Sequence, residues 1–165
     1  MTVEPDIVKY GITPREIAAG MSGLDMLQAM IDRALPAPPI AQSCDFIMVS
    51  VERGRAVFEG APSEKFYNPL GTVHGGWIST LLDSALGCAV HSLLEPGQIF
   101  TTTSMTINFV RPVLAATGRL RCEGVAVHTG SRLASSEARL TDAAGKLVAH
   151  GIETCMILPA PARQA

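Results

Sequence analysis

Between Gly75 and Leu94 the chain carries one formally charged residue, Asp83. Trp77, Leu81, Ala85 and Cys88 recur at helical spacing, with Ile78, Leu82, Leu86 and Val90 beside them. Apolar residues on most of the circumference predict a helix over Trp77 to Leu94 that is buried on nearly all sides. It follows His74-Gly75-Gly76, and before that Asn68-Pro69-Leu70-Gly71, where Pro fixes φ and Gly permits a turn. A buried helix N-terminus must find partners for its free N–H groups, and two glycines there leave the backbone open to a ligand oxygen.

Asp83 has two readings. It lies on an exposed polar stripe with Ser79, Thr80 and Ser84, or it faces a cavity as a general base or nucleophile. Burying it unpaired is costly, which gives the second reading its interest.

The run 75–94 has the length of a membrane span. It is interrupted by Gly75, Gly76, Ser79, Thr80, Asp83, Gly87, His91 and Ser92, so a soluble buried helix is the better reading. The 165 residues suit one domain. Charged residues make up only 17% against 47% hydrophobic, which suggests that part of the surface is covered by other subunits. A net charge of −2 points to neither nucleic acid nor membrane as partner. Cys44, Cys88, Cys122 and Cys155 show no C-x-x-C spacing and read as free thiols in a reducing compartment, with no zinc site. The polar start MTVEPDIVKY does not read as a secretory leader, and a cytoplasmic location is expected.

Residues 1–40 are expected to form an N-terminal helical arm that packs on the core. Thr13 as N-cap with Pro14 opens a short helix that Gly20 stops; Ser22 with Asp25 resembles a capping box. Leu24, Leu27, Ile31 and Leu35 then share a face up to Pro36, and 36–39 form a stiff connector. Residues 46–51 and 55–59 flank a turn at Arg53-Gly54 and read as a hairpin. Past Pro96-Gly97 the pattern is β throughout. Met105, Ile107 and Phe109 alternate with Ser104, Thr106 and Asn108 in a strand over 101–110. Strands over 118–128, 132–141 and 146–158 are joined by the turns Thr129-Gly130-Ser131 and 142–145, and so are antiparallel neighbours. Residues 159–165 are expected to form a flexible tail. This is an α+β architecture, with about six antiparallel strands wrapped around one long buried helix in a domain over 41–158.

The order Asn68-x-x-Gly71-x-x-His74-Gly75-Gly76, with Asp83 on the following helix, resembles the hotdog-fold acyl-CoA thioesterases of the phenylacetic-acid-degradation (PaaI-type) group. Asn108-Phe-Val-Arg-Pro112 and Gly145-Lys-Leu-Val-Ala149 resemble strands of the same group. The resemblance covers roughly 44–158. It implies a hotdog fold and hydrolysis of acyl-CoA thioesters without a cofactor or metal. It implies that Asp83 is base or nucleophile, that the Gly75 amide meets the thioester carbonyl, and that Asn68 and His74 shape the site. A hydroxyl early in the next strand assists the water; Thr102 is the candidate, with Thr103 and Ser104 as neighbours and Gly76 beside the substrate. His74 has an equal reading as the residue that fixes the turn. Thr129, Gly130, Ser131 and Arg132 are either a plain hairpin turn or a grip on CoA phosphates, and Arg111 is a second phosphate candidate.

Gly75 and Asp83 are eight residues apart, so on one helix they lie about 12 Å apart along the axis. One thioester carbon cannot be close to both. If both serve one reaction they come from two chains, which predicts a homodimer with shared sites, and relatives often pair further into homotetramers. A non-catalytic acyl-CoA binding or sensing protein on the same fold is the alternative, disfavoured because a binder has no need of Asp83. An enoyl-CoA hydratase is disfavoured because here the acid follows the His.

Overall fold

The computed structural model describes residues 8–160. Three short helices come first: α1 (Arg15–Ala18), α2 (Gly23–Ile31) and α3 (Pro39–Ser43). Strands β1 (Phe46–Glu52) and β2 (Arg55–Gly60) form the expected hairpin. The long helix α4 (Gly75–His91) follows, then β3 (Gln98–Phe109), β4 (Leu120–Thr129), β5 (Leu133–Thr141) and β6 (Leu147–Pro159). The six strands make one antiparallel sheet in the order β1-β2-β4-β5-β6-β3. Helix α4 packs across one face of that sheet and touches every strand. This is the hotdog architecture.

The apolar residues of α4 make the core. Leu81, Leu82, Ala85 and Leu86 are fully buried against Ala56, Phe58, Leu120, Cys122, Ala138 and Leu140 of the sheet, and Ala89 and Val90 are fully buried beyond them. Close approach to β4 requires Gly124, because a Cβ there would run into the Ala85 carbonyl. A smaller apolar cluster of Val90, Leu94, Ala134, Cys155 and Ile157 lies towards the far end of α4.

Several boundaries differ from expectation. Pro14, not Thr13, occupies the N-cap of α1, and the buried Thr13 hydroxyl finds no partner. Ser22 does cap α2, accepting from the Asp25 N–H at 3.2 Å. That helix stops at Ile31 rather than Pro36, with Arg33 in the left-handed region at φ +62°. The expected connector ends in α3, with Pro39 in its first turn, where Pro lacks no needed donor. Helix α4 starts two residues before Trp77 and ends at His91, three before Leu94. Pro159 still pairs with Gln98, and the Ala160 N–H donates to Gly97 O, so the flexible tail expected over 159–165 does not begin at Pro159; residues 161–165 and the first seven lie outside the described residues.

All four cysteines are free. No helix among the described residues is long and apolar enough to cross a membrane.

Candidate active site

The turn before α4 is held by Asn68. Its Oδ1 accepts from Leu70 N–H (2.9 Å) and Thr72 N–H (3.3 Å), and its Nδ2 donates to Thr72 Oγ1 (2.9 Å). Gly71 completes the turn at φ +77°. The amide of Asn68 is thus taken up by its own loop, which leads directly into the start of α4.

His74 is the N-cap of α4. Its Nδ1 accepts from the Gly76 N–H at 2.8 Å, satisfying one of the free donors of the first turn. Neutral His74 therefore carries its proton on Nε2. The expectation of two open glycine amides is corrected here: Gly76 N–H is occupied by the cap. The Gly75 N–H has no acceptor among the described residues. A Cβ on Gly75 would meet the Phe109 ring at 3.2 Å, so glycine lets α4 lie close to β3. Gly75, Thr72, Ile78, Phe109 and Arg111 line an open cleft of about 280 Å³. Arg111 is anchored there by a bond from Nε to Leu147 O at 3.1 Å.

Asp83 lies two turns on. It does share a polar stripe with Ser79, Thr80 and Ser84, whose hydroxyls bond back to Gly75 O, Gly76 O and Thr80 O. It is exposed in the single chain, yet neighbouring protein displaces enough water to raise its pKa above the usual carboxylate value. Its charge is felt by Cys88 one turn away and by Glu153 and Cys155 of β6. Burial pushes the Cys88 thiol up to about 12, so Cys88 is not a nucleophile at neutral pH.

Thr102 belongs to this group. A β-bulge between Thr102 and Ser104 shifts the register of β3 on β6. Without it Thr102 would share the outward parity of Ser104 and Thr106. With it Thr102 stands opposite Cys155, on the inner face, and donates from Oγ1 to Glu153 Oε1 at 2.9 Å. Thr103 Oγ1 donates to Thr154 O, and Ser104 is exposed.

The candidate residues therefore fall into two groups. Helix α4 runs antiparallel to β3, with Gly75 against Phe109 and Gly87 against Phe100. Arg111 goes with Gly75. Thr102 goes with Asp83. The turn Thr129-Gly130-Ser131-Arg132, closed by Gly130 N–H to Leu133 O, lies at the Thr102 end: Arg132 O accepts from Ile157 N–H, and Leu133 pairs with Met156, which pairs with Thr101. His91 packs on Phe100, and burial lowers its pKa. Two further apolar cavities, of about 270 and 310 Å³, lie under the N-terminal arm, one between α2, α3 and β1 and one between α1, α2 and His91, and include neither Gly75 nor Asp83.

Sequence reasoning missed Glu153. It is 2% exposed, with a raised pKa whose main cause is burial. A signal was present, since Glu153 is an acid at the same parity as Gly151, Cys155 and Ile157, on the face of the strand that otherwise carries no charged residue.

Residues 70–149 match the thioesterase superfamily family model. The 1,4-dihydroxy-2-naphthoyl-CoA hydrolase of Listeria monocytogenes is 30% identical over 110 residues, 67% of this chain and 86% of that protein. The phenylacetic-acid-degradation-related protein of Ralstonia eutropha superposes with a TM-score of 0.72 at 28% identity, over 79% of this chain and 98% of the other. A Streptococcus mutans protein solved with acetyl-CoA superposes with a TM-score of 0.63 at 28% identity, over 70% of this chain and 90% of the other. With its six-stranded sheet and its single core helix, the chain belongs to the thioesterase superfamily, as a PaaI-type hotdog thioesterase.

Proposed function

We propose that the protein hydrolyses the thioester of an acyl-CoA at sites shared between two copies of the chain. The observation that carries this reading is the separation of the open Gly75 N–H from Asp83 along one helix. A donor for a developing oxyanion and a carboxylate for the nucleophile are both present, but at opposite ends of β3. Strand β3 is one edge of the sheet, and Ile99 and Phe109 along it and Val110 just after it are exposed. A twelve-residue edge of this kind offers pairing to a second copy. Two copies with α4 helices antiparallel bring Gly75 of one to Asp83 of the other.

In such a site the Gly75 N–H and the positive end of α4 stabilise the oxyanion formed on attack at the thioester carbon. Asp83 either takes a proton from the attacking water or attacks directly to give an acyl anhydride. Collapse of the tetrahedral intermediate expels the CoA thiolate. Arg111, in the Gly75 cleft, and Arg132, on the turn at the Thr102 end, are the candidates for the CoA phosphates. The relatives support this substrate class, one being a hydrolase of an aromatic acyl-CoA and another a protein solved with acetyl-CoA.

The test is a panel of aromatic, short-chain and medium-chain acyl-CoA esters, followed by release of free thiol. Turnover of at least one class is expected. Tight binding of acyl-CoA without turnover of any would favour the non-catalytic alternative instead.

A further inference from the structure

Glu153 has the features of a working part of the Asp83 group. Its side chain sits between the two apolar clusters of the core, flanked on β6 by Ala149 and Gly151 on one side and Cys155 and Ile157 on the other. Oε1 accepts from Thr102 Oγ1 at 2.9 Å and from the Cys155 thiol at 2.8 Å. Oε2 is buried with no partner. Ser136, directly opposite on β5 and 1% exposed, likewise has an unpartnered hydroxyl. Gly87, one turn beyond Asp83 on α4, makes room for the Phe100 ring, which a Cβ there would meet at 3.0 Å, and Glu153 Oε1 lies at ordinary contact distance from the same point, 3.8 Å.

The groups that face this carboxyl are Asp83 and Cys88 from α4, Thr102 from β3, Ser136 from β5 and Cys155 from its own strand. None is a cation. A charged Glu153 would have only the two hydrogen bonds to Oε1 and no cation against the cost of burial, so the neutral acid is the form this surround favours.

We propose that Glu153 is a positioning residue of the Asp83 half-site, a buried carboxylic acid that fixes the Thr102 hydroxyl as an acceptor for the reacting water. Thr102 has one proton, and it is given to Oε1. Only its lone pairs remain for the site, so it accepts from water and cannot donate to an oxyanion. The carboxyl group stays neutral beside Asp83, and the negative charge of the two stays on Asp83. Gln at 153 would keep a carbonyl oxygen for Thr102, whereas Ala would not.

This inference rests on the thioesterase reading, and the test separates the two. In thiol-release assays Glu153→Gln is expected to stay within about threefold of wild-type kcat. Glu153→Ala and Thr102→Val are each expected to lower kcat by about 10- to 100-fold, on the scale of a proton-handling group, with KM little changed. The double variant is expected to be no worse than either single one, because both remove the same oriented hydroxyl. Infrared spectra at neutral pH should show a carboxylic-acid C=O band that is absent in Glu153→Gln, retained in Asp83→Asn and shifted in Thr102→Val. Should Glu153→Ala fail to fold, Glu153→Gln and Thr102→Val carry the comparison alone. Absence of the acid band, multiplicative losses in the double variant, or loss of turnover in folded Glu153→Gln each overturn the proposal while leaving the thioesterase reading standing. A wild type that hydrolyses no thioester overturns both.

Discussion

Gly75 and Asp83 stand two turns apart on α4, and β3 runs alongside so that the first faces Phe109 while the turn after the second faces Phe100. A carboxylate in that place has no cation and no hydrogen-bond donor among the described residues. The proposed mechanism gives it a chemical use. Asp83→Asn, which keeps the shape and removes the base, is expected to lower kcat by about 10²- to 10⁴-fold while KM stays within a few-fold. Thiol-release kinetics measure it, and a wild-type rate in the Asn variant would withdraw Asp83 from the mechanism.

Shared sites make a distinct prediction. Gly75→Pro removes the oxyanion donor at the first helical position, where Pro is tolerated. His74 already has φ −61° and ψ 137°, the extended conformation that a residue before proline prefers. The clash of the new ring with Phe109 is the main structural cost. Neither Gly75→Pro nor Asp83→Ala homodimers should turn over substrate. Mixed heterodimers should regain one intact site of two, about half the activity per dimer. Inactive heterodimers of folded chains would show that one copy supplies both groups.

Much of this was legible because it follows from periodicity. The all-round apolar pattern from Trp77 to Val90 announces a core helix, and alternation at Met105, Ile107 and Phe109 announces a strand. The strand neighbours followed from short turns. What was not legible depends on register and on contacts distant in sequence. A one-residue bulge decides that Thr102, and not Ser104, faces inward. The parity of Glu153 in its strand hints that it is buried, but that it meets Thr102 emerges only when β3 is laid beside β6, 51 residues apart. Which glycine amide is free depends on the rotamer of His74, which sequence does not specify. The early end of α2 turns on Arg33 adopting positive φ, against its residue preference.

The raised pKa of Asp83 gives a pH profile its sign. The base is active when ionised, so kcat/KM should fall as pH drops through the Asp83 pKa, and burial places that acid limb above the ordinary carboxylate value of about 4. The limb belongs to Asp83 and should vanish from whatever residual rate Asp83→Asn retains. A limb that persists unchanged in the Asn variant would assign the ionisation to another group.

The contact between Gly124 and Ala85 sets the height of α4 above the sheet. Any Cβ on β4 at this point collides with the Ala85 carbonyl, and backbone on both sides cannot give as a side chain can. Gly124→Ala must therefore lift α4 or distort β4, at a cost of about 3 kcal/mol, the upper part of the overpacking range. For a domain of this size that lowers Tm by roughly 6–12 °C. The same displacement moves Asp83 relative to Thr102, since one lies on the helix and the other on the sheet. Turnover measured well below Tm should then fall about tenfold or more, as misplacement near 1 Å costs up to about 10²-fold. A Gly124→Ala chain with wild-type Tm and wild-type turnover would mean that α4 has more freedom above β4 than this packing allows.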